Sequence, residues 1–158
     1  MKKYELTENK KEVFGIVLFQ IKALININRF GIKKGDLGGW IEKEKNLSQD
    51  GKAWVSGDSW VYGDALVSGN AWVSGNAWVS GNARVYGNAW VYGNALVCGN
   101  ALVSGNAWVY GDALVSGDAR VYGNARVSVS FLSLIGKLNS GRKKKQNLKK
   151  NVQRKGKK

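Results

Sequence analysis

From Gly51 to Ser128 the chain repeats one six-residue phrase thirteen times: Gly, Asn or Asp, Ala, then Trp, Leu or Arg, then Val, then Ser or Tyr. Only Lys52 and Ser59 stray from its first three positions, and Cys98 replaces a Ser or Tyr at the last. A period of six suits neither a helix nor an isolated strand, and self-similarity at fixed spacing marks a solenoid. Within a hexad, strand alternation sends Ala53 and Val55 to one side and Trp54 and Ser56 to the other. Small apolar residues therefore line the inside, and each Gly-Asn or Gly-Asp pair turns a corner.

An interior filled only by Ala and Val is narrow and suits three short sides, which makes a coil of eighteen residues and a little over four coils between Gly51 and Ser128. The outward residues sort at that spacing. One side collects Trp54, Trp72, Trp90, Trp108 and then Arg126; a second collects Trp60, Trp78, Leu96 and Leu114; the third alternates Leu66, Arg84, Leu102 and Arg120. At the corners, Asp58, Asn76, Asn94 and Asp112 form one column and Asp64, Asn82, Asn100 and Asp118 the next, so no two carboxylates stack on adjacent coils. The expected fold is all-β, a three-sided parallel β-helix of four to five coils.

The hexads resemble the hexapeptide-repeat, left-handed parallel β-helix family, with Val55, Val61 and Val67 in its aliphatic place and Ala53 in its small one. Left-handedness is implied by that resemblance alone and runs against the usual crossover rule. The family includes acyltransferases and a class of carbonic anhydrases, usually trimeric. The leader, Gly35-Asp-Leu-Gly-Gly-Trp-Ile-Glu42 with Asn46-Leu-Ser48, resembles small bacterial and prophage hexapeptide-repeat proteins. That second resemblance carries no activity with it.

Residues 1–50 read as an N-terminal β cap and irregular first coil, 51–128 as the solenoid, 129–141 as a capping helix and 142–158 as a disordered basic tail. Phe19, Ile21 and Ala23 alternate with Gln20 and Lys22 as a half-buried strand that Tyr4 to Leu6 can pair. Lys34 to Trp40 is glycine-rich, but it lacks a Gly-Lys-Ser/Thr ending, so a turn is expected and not a phosphate-cradling loop. Ile41 and Leu47 precede Ala53 by twelve and six residues and are expected in its inward column. The run Val13 to Ile27 is interrupted by Gln20, Lys22 and Asn26, and no membrane span is expected. At Val129 the register breaks where Gly is due. Two readings of the segment beyond this break stand side by side: a helix capped by Ser130 with Phe131, Leu134, Ile135 and Leu138 on one face, or a frameshifted end.

The net charge of +14 is uneven, with eleven basic and no acidic residues after Ser128. A single cysteine, Cys98, excludes an intrachain disulfide and fits a reducing compartment, so the cytoplasm is the expected location. The chain contains no histidine. The general base of the resembling acyltransferases and the zinc ligands of the resembling carbonic anhydrases are therefore missing, and no catalysis, metal or cofactor is expected; the rival reading is an acyltransferase-like enzyme of the same class whose base is not histidine. Asp64 and Asp118 interchange with Asn in equivalent hexads and read as turn formers.

Two features can meet a partner. Trp54, Trp72, Trp90 and Trp108 would form a ladder at the strand spacing of about 4.8 Å, leading to self-association, a trimer by the family resemblance. Sugar stacking on the rings, a protein partner, or rings that merely stack on one another are the alternatives. In the tail, Lys143, Lys144, Lys145, Lys149 and Lys150 would give weak, salt-sensitive affinity for nucleic acid or another polyanion, without aromatic residues to stack bases.

Overall fold

In the computed structural model, which describes residues 1–128, 131–132 and 137–139, each hexad is a short strand followed by a corner. Strands pair in parallel with the residue eighteen positions on. Trp54 meets Trp72, Trp72 meets Trp90, Trp90 meets Trp108 and Trp108 meets Arg126 on the first side. Trp60, Trp78, Leu96 and Leu114 line up on the second, and Leu66, Arg84, Leu102 and Arg120 on the third. The three-sided coil read from the spacing is thus the observed one, and its inward Ala and Val residues are all at most 3% exposed.

Backbone hydrogen bonds run from coil to coil, as from Trp72 N to Ala89 O at 2.9 Å and from Asn76 N to Gly93 O at 2.8 Å. The corner glycine is demanded twice over. Gly99 has φ of 67°, and a Cβ there would sit 2.7 Å from the backbone N of Gly117 in the next coil. The corner amides form ladders of their own: Asn76 Nδ2 donates to Asn94 Oδ1 and Asn94 Nδ2 to Asp112 Oδ1, each at 3.3 Å. A second ladder runs from Asn82 through Asn100 to Asp118. An ionised carboxylate only accepts, so Asp fits at the accepting end. This adds a directional reason to the repulsion that keeps carboxylates off adjacent coils.

The N-terminal end is closed by three strands, β1 (Tyr4–Val13), β2 (Ile16–Ala23) and β3 (Leu37–Ile41). β1 and β2 form an antiparallel hairpin in which Tyr4, Glu5 and Leu6 pair with Ala23, Lys22 and Ile21. β2 pairs antiparallel with β3, which pairs in parallel with Trp60–Val61. Ile21 and Ala23 are buried as the alternation requires, but Leu18 is buried as well and Phe19 only partly covered; the pairing of β1 with β2 shifts register between Leu6 and Lys10. Of the glycine-rich stretch only Lys34–Gly35 is a turn; Gly38 and Gly39 lie in β3.

Ile41 and Leu47 depart from expectation. They pair with Val61 and Val67, so they occupy the Val column and not the Ala column. The first coil is two residues longer than the rest: these pairs are twenty apart, whereas Gly51 still faces Gly69. The extra residues, Gln49 and Asp50, lie at the corner. Gln49 Oε1 accepts from the backbone N of Lys3 at 2.7 Å and of Tyr4 at 3.3 Å, and its Nε2 donates to Tyr4 O at 3.1 Å. The insertion thus clamps β1.

Other cap side chains stand in for a missing preceding coil. Where Ala71 O accepts from Trp54 N, the equivalent Ala53 O accepts from the buried Lys3 Nζ at 2.7 Å. Asn46 Nδ2 serves Gly63 O and Ala65 O, and the Tyr4 hydroxyl serves Leu47 O. Buried carbonyls need such donors. Burial lowers the Lys3 amine to about 8 against the opposing pull of Asp50.

The helix expected over 129–141 is corrected where the chain is described. Phe131–Leu132 is a strand paired with Leu114–Val115, and Lys137–Asn139 a strand paired with Arg120–Tyr122. The pairing offset falls from eighteen to seventeen, a one-residue deletion after Val127. A short helix is marginal alone, while a solenoid edge offers ready backbone partners, so pairing wins. The expected tail and Lys143, Lys144, Lys145, Lys149 and Lys150 lie outside the described residues. Among the described residues, no helix is long and apolar enough to cross a membrane.

Candidate functional site

The outward residues of the first side build an aromatic face from two adjacent columns. Trp72, Trp90 and Trp108 form one, each half-buried; Ser56, Ser74, Tyr92 and Tyr110 form the other. Trp90 and Trp108 stack in parallel, 5.3 Å between centroids and 6° between planes, and the Arg126 guanidinium closes the stack 4.3 Å from the Trp108 ring. Tyr92 and Tyr110 stack beside them at 5.2 Å and 9°. Burial, with Tyr110 nearby, pushes the Tyr92 hydroxyl pKa up, against Arg126.

Trp72 breaks the stack. It stands at 79° to Trp90, its Nε1 donates to Ser56 Oγ at 2.9 Å, and Phe30 packs on it at 4.7 Å. A groove of about 240 Å³ opens between Trp72, Ser74, Trp90 and Tyr92. It lies where a further ring would continue the tyrosine stack, because the position one coil before Tyr92 is Ser74.

Trp54 does not belong to this face. It is fully buried beneath the cap, with Tyr4 edge-on at 6.5 Å. A Cβ at Gly38 would come within 2.8 Å of its ring, so bare glycine backbone is what lets the indole lie flat under β3. Its N–H has no acceptor among the described residues. The expected ladder of four tryptophans is therefore a ladder of three.

A family model of the YdcK β-solenoid repeat matches residues 59–75, 77–93, 95–111 and 119–133. Each matched stretch spans close to one observed coil. The chain is a β-solenoid repeat protein. A search of curated proteins found no match. The solenoid carries a second aromatic cluster that the sequence columns hint at through Trp60 and Trp78: these stack at 4.5 Å, Trp40 extends the column, and Lys11 lies 4.3 Å over Trp40 and 4.7 Å over Trp60. The hairpin turn then brings Phe14 edge-on to Trp78 at 5.7 Å. On the first side, the tyrosine stack and its vacancy at Ser74 are the features the tryptophan count misses. Their signal is the column Ser56, Ser74, Tyr92, Tyr110, Ser128, legible once the eighteen-residue coil is drawn. Among the described residues no group of His, Cys, Asp or Glu could hold a metal ion.

Proposed function

We propose that this solenoid is a noncatalytic binding scaffold of the hexapeptide-repeat class, working in the cytoplasm and associating with further copies of itself through the first side. The groove between Trp72 and Trp90, in an otherwise closed row of rings, carries the reading. Aromatic side chains around a pocket are the usual anchors of protein contacts. The lack of histidine supports the noncatalytic part, since an acyltransferase-like reaction would need another base.

The test is sedimentation velocity on the full chain and on the double variant Trp90→Ser, Trp108→Ser. Wild type should sediment as an oligomer, the trimer of the resembling family being the expected form. The variant should be a smaller species with its β signal retained, because solenoid stability comes mainly from contacts between neighbouring coils. An oligomer unchanged by the double substitution refutes the face as the interface.

A further inference from the structure

The hairpin turn between β1 and β2 joins Val13 to Ile16 through Phe14 and Gly15, both at positive φ, 52° and 75°. Two-residue turns of this kind favour Asn-Gly, and Phe14 is the sole non-glycine at positive φ among the described residues. Phe14 is 76% exposed and makes an edge-type ring contact with Trp78. A large aromatic in a disfavoured conformation, mostly in water, gains little for its own chain, and such outliers cluster where function requires them.

We infer that Phe14 of one copy inserts into the groove formed by Trp72, Ser74, Trp90 and Tyr92 of another, its ring taking the vacant place in the tyrosine stack beneath Tyr92. The inference rests on the self-association reading and names its contact. Area favours this occupant over flat pairing of two faces. The four rungs left open by the cap, at about 4.8 Å each and with a width near 16 Å, offer on the order of 300 Å² per copy, less than half of what a standard stable interface buries. A protruding hairpin brings a knob and its flanks to the same groove and adds the missing surface. The knob rides on the second side and the groove on the first, so the contact is heterologous, and each copy carries one of each.

Two substitutions test this with the fold protected. Phe14→Asn installs the residue the turn prefers, and Ser74→Tyr fills the groove by extending the existing stack. Neither should lower the melting temperature. Each should weaken association at least tenfold in sedimentation velocity, roughly the effect of losing one buried aromatic anchor. The two variants mixed in equal amounts should form a two-copy species, because one retains the groove and the other the knob. If wild type associates and both variants associate equally well, the knob-and-groove contact is wrong while self-association stands. If wild type stays monomeric to about 100 µM, self-association fails and this contact with it.

Discussion

Val91→Asp probes the interior directly. Val91 is fully buried in a middle coil, paired with Val73 before it and Val109 after it, with no polar side chain in its column. An aspartate there escapes a buried charge only by taking a proton. At pH 7 that costs about 4 kcal/mol, from an ordinary carboxylate value near 4 and about 1.4 kcal/mol per pH unit. The neutral carboxyl still lacks a partner, which adds about 1–3 kcal/mol. Losses above about 5 kcal/mol are comparable to the whole stability of a small domain. Urea unfolding followed by far-UV circular dichroism should show the variant largely unfolded at pH 7, with its deficit shrinking by nearly 3 kcal/mol at pH 5. Val91→Ala, the control, should lose about 2–3 kcal/mol at both pH values through packing alone. An unchanged midpoint at pH 7 would overturn the inward assignment. A deficit equal at both pH values would show that burial of a charge is not its cause.

Lys3 makes a prediction in alkali. Its folded value of about 8 lies below the ordinary 10.5, so between those limits the unfolded chain holds a proton that the folded chain has released, and stability rises with pH. Below pH 8 the amine is charged in both states and this contribution is flat; well above pH 10 the buried Tyr4 phenol, its pKa raised by burial and by Glu44, acts in the opposite sense. Wild type should gain stability relative to Lys3→Met from pH 8 to 10, and parallel curves in denaturant titrations would contradict the buried amine. At the corner, Asn94→Asp replaces the donor to Asp112 with a second carboxylate. Thermal melts at pH 7 should show a loss of about 1 kcal/mol in low salt that shrinks in about 1 M salt, where the repulsion is screened. A loss that persists in high salt would mean the ladder bond matters more than the repulsion.

The parts of this fold that were legible in the sequence are those stated many times over. Ala and Val inside, glycine at the corner and eighteen residues per coil each recur along the tract, and no single exception such as Ser59 obscures them. The parts that were not legible are stated once. Trp54 occupies the same position in its hexad as Trp72, yet lies under β3 because Gly38 has no side chain, a tertiary fact with no periodic trace. The two residues inserted at Gln49 and Asp50 shift Ile41 and Leu47 from one inward column to the other, and both columns are apolar, so hydrophobicity does not distinguish them. At Phe131 the local spacing suits a helix, while the waiting edge of Leu114–Val115 decides for a strand. The candidate face was legible as a column of rings and its vacancy as Ser74 before Tyr92; the groove beside it depends also on the angle of the Trp72 indole.

The unequal coils at the two ends bear on how such a molecule changes size. Removing or duplicating eighteen residues inside the tract leaves every column and corner in register, whereas a slip of six or twelve keeps the inward Ala and Val columns and the corners but moves each outward residue to another side. The clamp at Gln49 and the one-residue deletion after Val127 each occur once among the described residues, so they fix where the regular stack begins and where its pattern changes. Length is therefore adjustable only in the middle, in steps of about 4.8 Å. The reach from hairpin to groove stays fixed when coils are added beyond Tyr110, while the row of rings grows. The solenoid behaves as a ruler with a fixed zero, and its gene can lengthen the scale one mark at a time.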